Sequence, residues 1–522
     1  MKTQLIKINF LNGAIDLHPG GCNFVPLENQ QKENVMYLRS GLFALAMLCS
    51  ASGIALSASA TPEEAQRITG VLQTYLGAEP GVVGITPAGD AYDLKIDFAP
   101  LLKKLHQPGQ TVTITPIAMK LTDNGGGKWL VTQDAPFSFS AKVPGKLELA
   151  ASVGSIKASS IFDENVGAFI SSTSDYTDFK VDETITTPEA GATRVAYSVK
   201  SAHYETSATP SSNGTVDGAA RWTMAGLIEK ISLPASAPSP APVEITVTAE
   251  TGTSDATIKG THHKAIYKLL AWFVAHASEA AIKENEAELK ALLREGLPLF
   301  ESIANNGSIE KITVASPVGP IGIAKIGFGI NMNGIVADGS LQESVSVEGL
   351  TLPPGLVPPF AADIVPDKFT LDFKLADFNL ADPAKLILDN MSLTKMDAAN
   401  PELKAKLLAA VMPKGAVTIT MGPSNVASKI YDVGMSGSLS VGRSPIPSGN
   451  ASITAKGFDK VMSALQAMPP EMGMQSAIAG MVAAKGLSKQ EADGGMSWKI
   501  ESTATGGVLV NGIDVTKMGG GG

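Results

Sequence analysis

The chain has 522 residues, of which 44% are hydrophobic and only 17% are charged, and its formal net charge at pH 7 is −9. The acidic balance and the absence of a basic run exclude nucleic acid as a predicted partner. With 52 glycines and 6% aromatic residues, the composition is typical of a β-rich exported protein and unlike that of a sugar-binding face.

A secretory signal peptide is predicted at residues 36–60. Met36 and Arg39 give a short basic lead, an apolar core runs to Cys49, and Ala58-Ser59-Ala60 has the small residues of a cleavage site. We therefore predict cleavage after Ala60 and a periplasmic location. An uncleaved membrane anchor is the alternative, but the apolar core is shorter than the roughly 20 residues that a spanning helix needs.

Residues 1–35 precede this complete signal and show neither a helix nor a strand period, so they are treated as a doubtful N-terminal extension. Cys22 and Cys49 both lie before residue 61. The predicted mature chain therefore has no cysteine, which excludes disulfides and cysteine chemistry.

Residues 61–233 predict one helix followed by a β-rich lobe. Thr61-Pro62-Glu63-Glu64 has a capping residue, a first-turn proline and two acids, and Gly77 marks the helix end. Polar and apolar residues then alternate with the period of a half-buried strand. The pattern predicts an antiparallel meander with one wet and one dry face, and its clearest strands are Tyr92–Phe98, Thr111–Thr115, Trp129–Thr132, Phe137–Ser140, Lys146–Leu149 and Thr193–Val199.

Residues 234–260 are predicted to be a linker and a strand, and residues 261–305 a central helical segment. Apolar residues recur there at helical spacing, and Glu286 and Lys290 form an i,i+4 pair. The helix should break at Gly296-Leu297-Pro298, resume, and stop at Asn305-Asn306-Gly307.

Residues 306–518 predict a second β-rich lobe, and residues 519–522 a disordered tail. Short helices are predicted from about residue 400 to 412, from 460 to 466 and from 475 to 484. The predicted strands are Lys311–Val314, Ile321–Met332, Leu341–Val347, Phe369–Leu375, Ala416–Met421, Gly437–Val441 and Ala451–Ala455.

Two strand-to-helix junctions resemble each other. Ala256–Gly260 followed by Lys264–Leu270 is similar to Ser452–Gly457 followed by Lys460–Leu465. Duplication of a strand-turn-helix unit explains the similarity, and so does coincidence between common β and helical words.

The C-terminal region resembles a known group. Gly494–Ser502 followed by Gly506–Gly512, which ends in an Asn-Gly turn, looks like the closing hairpin of the YdgA-like Gram-negative envelope proteins of unknown function, and the helix-Gly-Leu-Pro junction before Ile312 is also similar. The resemblance covers roughly residues 255–518. It implies a periplasmic protein built on a long curved sheet, and it carries over no catalytic residue.

Chemically reactive residues do not form a recognisable motif. The histidines at 106, 203, 262, 263 and 276 show no metal-ligand spacing, and no Gly-x-Ser-x-Gly elbow occurs. Ser308-x-x-Lys311 and Ser392-x-x-Lys395 lack a companion Lys-Thr-Gly. Gly327-Phe328-Gly329 lies in a strand pattern and predicts a bend or bulge. We predict no catalytic, cofactor-binding or metal site and no cofactor.

The predicted fold is α+β: a large twisted, curved antiparallel β-sheet forming a groove, with a central helix pair and short helices at strand ends. The helices are too few to cover so many one-sided strands, which predicts a groove that binds a lipid or another apolar envelope component. Packing of sheet on sheet is the alternative. Leu350–Phe360, an apolar proline-rich loop, is either a lip, a membrane-touching tip or partner ligand, or a strap. A structural or interaction protein of the envelope is the second functional hypothesis, and an exported hydrolase the third.

Overall fold

The computed structural model divides the chain into two units, Met1–Leu48 and Cys49–Gly522. In the first unit it describes one antiparallel pair, β1 (Leu17–His18) with β2 (Gly21–Cys22), within the stretch predicted to lack a strand period. In the second unit it describes residues 59–516 except 106–108, 189–190, 212, 236–240, 391, 393–400, 443–446, 470–471 and 504–505. The predicted signal core and the predicted tail at 519–522 lie outside the described residues.

The second unit consists mainly of strands. They are β3 (Val83–Ala88), β4 (Ala91–Ile96), β5 (Thr111–Ile114), β6 (Ile117–Asp123), β7 (Lys128–Val143), β8 (Leu147–Asp163), β9 (Ala168–Thr187), β10 (Gly191–Pro210), β11 (Val216–Leu233), β12 (Val243–Thr261), β13 (Ser302–Ser316), β14 (Gly319–Asn333), β15 (Gly339–Glu348), β16 (Lys368–Phe378), β17 (Ala416–Ala427), β18 (Asp432–Gly442), β19 (Ser448–Lys456), β20 (Lys489–Gln490), β21 (Met496–Ser502), β22 (Val508–Val510) and β23 (Ile513–Asp514).

Helices stand before and between these strands. They are α1 (Pro62–Leu76), α2 (Ala99–Leu105), α3 (His263–Ala275), α4 (Glu279–Glu284), α5 (Glu286–Gly296), α6 (Ala381–Asn390), α7 (Pro401–Val411), α8 (Phe458–Gln466) and α9 (Gln475–Leu487), with a 3₁₀ turn at Pro359–Ala361.

One antiparallel sheet contains all strands of the second unit. β3 pairs with β4, β4 with β6, and β6 with β7, which also pairs with β5. From β7 to β19 each strand pairs with the next, and β19 then pairs with β21, which also contacts β20 and β22. No pairing among the described residues joins β23 to β3, so the sheet is open. The predicted large antiparallel sheet with several helices is confirmed.

The central strands are much longer than the sequence predicts. In each of them the alternation of apolar and polar residues is interrupted once, which looks like a strand end in the sequence, but the strand continues past the interruption. At this position one residue of each strand has no paired residue on the neighbouring strand. Three of these residues, Asp178, Gly226 and Lys311, have positive φ, at 52°, 68° and 54°. We call these positions the bulge line; it crosses β8 at Gly154, β9 at Asp178, β10 at Lys200, β11 at Gly226, β12 at Glu250 and β13 at Lys311. An extra residue bends a strand without ending it.

The bulge line keeps one face of the sheet apolar. In β8 the apolar positions are odd-numbered up to Val153 and even-numbered from Ile156 onward. Their partners in β7 are Phe137 and Ala135, which lie two residues apart and so share a face. The register carries this apolar face across every strand to β22, and it contains Phe139, Trp222, Met224, Phe328, Phe373, Leu439, Ile453 and Trp498.

The strand connections lie along two margins. The α3 margin carries α3–α5 between β12 and β13 and α6–α7 between β16 and β17; the opposite, α8 margin carries α8–α9 and the loop 349–367. At the N-terminal end α1 covers the apolar face, where Leu72 is fully buried against Tyr92, Leu94 and Trp129. Helices therefore cover the face near both ends of the sheet.

Two predicted boundaries need correction. The helical segment does not extend to Asn305-Asn306-Gly307, because α5 ends at Gly296 and β13 begins at Ser302. Asn305 faces Ala256 of β12 there, so pairing with a ready neighbouring strand outweighs the local turn signal. β12 and β13 are direct neighbours, and one sheet runs through both regions assigned to separate lobes.

The two similar junctions take the same backbone form. Gly260, the next-to-last residue of β12, has φ of 63°, and Gly457, which follows β19, has φ of 74°; a helix begins shortly after each. A Cβ at Gly457 would lie 1.9 Å from the Ile430 carbonyl oxygen, so only glycine fits there. The helices stand at opposite margins of the sheet.

Candidate functional site

An apolar cavity lies between the α8–α9 hairpin and the apolar face. Its volume is about 600 Å³, within the usual range for small-molecule sites. Aliphatic and aromatic side chains form almost the whole wall, among them Ile364, Val433, Ile453, Phe458, Val461, Leu465, Met481, Trp498 and Val510. The cavity can bury a hydrocarbon group but offers few polar partners.

Trp498 fixes the floor of the cavity. Its indole Nε1–H donates to the Ala484 carbonyl oxygen of α9 at 2.7 Å, and its ring lies 6.0 Å from that of Phe458 in α8. The side chain is buried, so this hydrogen bond satisfies its single polar atom. The sheet and both helices of the hairpin are thereby held together around the cavity.

A second cavity of about 320 Å³ continues from the first along the same face. Ile500 lines both. The register places Ile500 opposite Ala451 and then, strand by strand, in line with Gly437, Met421 and Phe373. The small residues in the middle of this row leave a depression that the larger ones flank.

The apolar face is partly exposed in the second cavity, which Phe373 and Leu439 line, and beyond it. Phe373 and Leu439 are each 41% exposed, although both point to the face that α1 buries completely elsewhere. Tyr204, Phe328, Val345, Val441 and Val508 on the same face are also more than one-third exposed. An apolar strip therefore runs between the part covered by α1 and the part covered by α8 and α9.

Two ion pairs lie on or beside the wall of the larger cavity, to which Lys456 belongs. Lys456 Nζ lies 2.8 Å from Asp493, and Lys485 Nζ lies 2.6 Å from Asp459. The hydrogen bond with Asp493 raises the pKa of Lys456, and the same contact lowers the pKa of Asp493. Burial, followed by the charge of Asp367, raises the pKa of Tyr431 in the cavity wall.

The histidines singled out in the sequence lie apart. His203 on β10 contacts Asp175 at 2.7 Å and Glu205 at 3.2 Å, and His263 Nε2–H donates to the Val166 carbonyl oxygen. The ring of His276 stacks on a tryptophan, and residue 106 lies outside the described residues. Within the described part of the chain, no group of three or more His, Cys, Asp or Glu could hold a metal ion.

The short motifs also have ordinary structural roles. Lys311 pairs with Glu250 at 2.6 Å, whereas Ser308 faces Thr253, so this Ser-x-x-Lys spacing does not build a nucleophile. Lys395 of the second match lies outside the described residues. The glycines at 327 and 329 keep β14 in register against serines of β15, where a Cβ would collide, and form no bulge.

The Leu350–Phe360 loop is a strap in its first part and an exposed tip beyond it. Thr351 exchanges two backbone hydrogen bonds with Gly322, and buried Pro353 packs on Gly319, so this first part straps the beginning of β14. The following tip is exposed, with Leu356 at 48%. The strap continues to Ile364 and therefore into the wall of the larger cavity.

Sequence reasoning did not identify the cavity residues. One signal was available: Met481, which lines the cavity, belongs to a methionine-rich stretch with Met462, Met468, Met472 and Met474 within 20 residues. Methionine is typical of adaptable apolar binding surfaces.

These features define the class: an open antiparallel-sheet protein whose one apolar face ends in an apolar cavity. Comparison with known protein families, with curated proteins and with solved structures gives no match. Among the helices that the structure describes, none is long and apolar enough to cross a membrane.

Proposed function

We propose that this protein binds the hydrocarbon part of a lipid or another apolar envelope component along its apolar face. The observation that carries the proposal is the exposed apolar strip leading to a cavity of about 600 Å³ with an apolar wall. Exposed apolar side chains grouped on one face are typical of binding surfaces. In this proposal the sheet is curved with the apolar face on its concave side, as in a groove.

The proposed location is the periplasm, reached through the signal peptide at residues 36–60, and we keep the YdgA-like group as the proposed family. Cleavage after Ala60 is compatible with the fold, because it leaves Thr61 to cap α1. The Thr61 hydroxyl accepts from the Glu64 backbone N–H at 3.2 Å.

Native lipid extraction and mass spectrometry test the binding. The protein is purified from an envelope fraction without detergent, and a stoichiometric lipid is expected. A Val461→Trp substitution should fill the larger cavity and reduce the lipid content several-fold, because Val461 lines it. Val482→Trp is the control, since this α9 residue is 58% exposed. A lipid-free protein, or equal lipid in both variants, contradicts the proposal.

An interaction protein of the envelope is the second candidate, and the exposed tip around Leu356 favours it. Cross-linking in intact cells tests it, with the residues from Pro354 to Pro359 replaced by a Gly-Ser linker. Loss of a cross-linked partner with unchanged lipid content would support the interaction function. An unchanged set of partners would reject it.

A further inference from the structure

The second cavity is a trough that crosses six neighbouring strands. Its described lining residues extend from Phe373 of β16, through β17, β18, β19 and β21, to Val508 of β22. With neighbouring strands about 4.8 Å apart, the five spacings give a length of about 24 Å. A volume of about 320 Å³ distributed over this length describes a long and narrow space, which we call the trough.

Two parallel rows of cross-strand neighbours line the trough. The first row is Phe373, Met421, Gly437, Ala451 and Ile500, and the second contains Ile419, Leu439 and Gly449. Members of the two rows on one strand are two residues apart, so they share a face and lie about 7 Å from each other. Apolar carbons pack at about 3.5–4.0 Å, so a methylene group between the rows contacts both of them. The trough therefore admits one file of carbon atoms, whereas a fused-ring skeleton is too wide.

The wall of the trough suits hydrocarbon and offers few polar partners. Ser502 Oγ accepts from the Gly449 backbone N–H at 2.6 Å and donates to the Gly449 carbonyl oxygen at 3.2 Å, so this hydroxyl is satisfied within the protein. None of the described residues that line the trough is charged, and Lys456 in the wall of the larger cavity is paired with Asp493. A polar group buried between the rows would lose its hydration without gaining a partner.

The trough leads into the larger cavity at Ile500, which lines both. From there the larger cavity continues beneath α8 and α9 to Trp498 and Leu465. One chain of a membrane lipid spans about half of the roughly 30 Å hydrocarbon core of a bilayer, or about 15 Å. The trough is therefore long enough for a whole lipid chain, and the larger cavity provides additional space at one end.

We infer that the two cavities bind a linear hydrocarbon chain of the length found in membrane lipids, in preference to a fused-ring apolar molecule. The chain lies across strands β16–β22, and one end of it is buried beneath α8 and α9. This inference rests on the proposed function and adds the chemical class of the ligand.

A series of octyl, decyl, dodecyl and tetradecyl maltoside tests the inference, together with a steroid glycoside. Each is used below its micellar concentration, and binding to the purified protein is measured by calorimetry. The affinity should rise about three- to fourfold with each added methylene group, because each one buries a similar increment of apolar surface. The steroid glycoside should bind at least about tenfold more weakly than tetradecyl maltoside.

An Ala451→Phe substitution should obstruct the trough, because Ala451 lies between Gly437 and Ile500 in the first row. It should weaken the binding of tetradecyl maltoside at least about tenfold and that of octyl maltoside less. Ser452→Phe is the matched control, since Ser452 is the next residue of β19 and is exposed on the opposite face. If Ala451→Phe does not fold, the ranking of ligands with the unmodified protein still decides.

The inference and the proposed function fail in different ways. Binding of the steroid glycoside as tight as that of tetradecyl maltoside, an affinity that does not depend on chain length, or equal binding by the Ala451→Phe and Ser452→Phe variants overturns the linear-chain inference and leaves apolar binding intact. Absence of binding for all five compounds overturns the proposed function and this inference with it.

Discussion

Asn511 ties the last hairpin of the sheet to α9. Its side-chain amide donates to the carbonyl oxygens of Leu487 and Ser497, and its Oδ1 accepts from the Lys499 backbone N–H at 2.8 Å. Asn511 and Gly512 have φ of 50° and 84°, as a two-residue hairpin turn requires. The sequence therefore indicates the turn through its Asn-Gly pair, but not the contacts with α9.

Asn511→Gly should destabilise the protein by about 1–3 kcal/mol, because it keeps the turn conformation and removes three hydrogen bonds. Asn511→Ala should cost more, since alanine also resists positive φ. The midpoint of urea unfolding measures both. Equal stability of Asn511→Gly and the unmodified protein would show that the side-chain contacts contribute nothing.

His203, on the polar face of β10, gives the stability of the protein a weak pH dependence. The hydrogen bond that His203 donates to Asp175, followed by the one that it donates to Glu205, raises the pKa of His203 above its ordinary value of 6.5. A group whose pKa is higher in the folded than in the unfolded state makes its full contribution to the free energy of unfolding below the unfolded-state pKa. This contribution is lost as the pH rises through the folded-state pKa.

We therefore expect stability to fall by less than about 1 kcal/mol as pH rises from about 6 through the raised pKa of His203, since the site is exposed and screened. His203→Gln should remove this slope, as measured by urea unfolding across that range. A variant with the same pH profile as the unmodified protein would assign the slope to other groups.

At the scale of elements, α1 shows what local sequence can and cannot predict. Thr61, Pro62 and Gly77 predict its two ends correctly, because caps act within one turn. Its attachment to the sheet depends on Glu164, which is 97 residues away from Arg67. Glu164 accepts from Arg67 at 2.9 Å and from the Trp129 indole at 2.8 Å.

Glu164→Ala should destabilise the protein by about 2–3 kcal/mol, because it leaves a buried indole N–H and a partly buried guanidinium without this partner. Lys120→Ala is the control. Its pair with Asp93 is exposed, and its loss should cost less than about 0.5 kcal/mol. Urea unfolding of the two variants gives the comparison, and similar costs would mean that Glu164 does not hold α1 in place.

Other elements follow the same rule. The helices predicted at about 400–412, 460–466 and 475–484 are confirmed as α7 (Pro401–Val411), α8 (Phe458–Gln466) and α9 (Gln475–Leu487). α6 was not predicted: Pro383 lies in its first turn, but no glycine marks its end. The helical segment after residue 261 was extended too far, since strand pairing of Asn305 is decided by a neighbour that the local window does not contain.

At the scale of the whole molecule, the bulge line decides which residues share a face. Gly226 has φ of 68° on this line, and a Cβ there would lie 2.9 Å from the Lys200 Cβ. Strand β11 continues across this position without interruption. The line therefore depends on a residue that tolerates left-handed backbone.

Gly226→Ala should lower the free energy of unfolding by about 1–3 kcal/mol, because the new methyl group meets both positive φ and Lys200. Gly70→Ala is the matched control. A Cβ at Gly70 in α1 meets nothing within 4 Å, so this change should raise stability by about 0.5–1 kcal/mol. Stabilisation by both substitutions would show that the bulge line has no special conformational requirement.

The sequence by itself determined the antiparallel, one-sided strands, the capped helix α1 and the helices near the C-terminus. These depend on periods and caps that operate within a few residues. It did not determine strand length, because the change from odd to even apolar positions at the bulge line looks locally like a strand end.

Only the tertiary structure decided that the strand segments on both sides of the bulge line share one apolar face. The α8–α9 cavity likewise combines Ile364 with Trp498, which are distant in the chain. A face of a sheet is defined by register between strands, and register is a relation between distant segments that no short pattern contains.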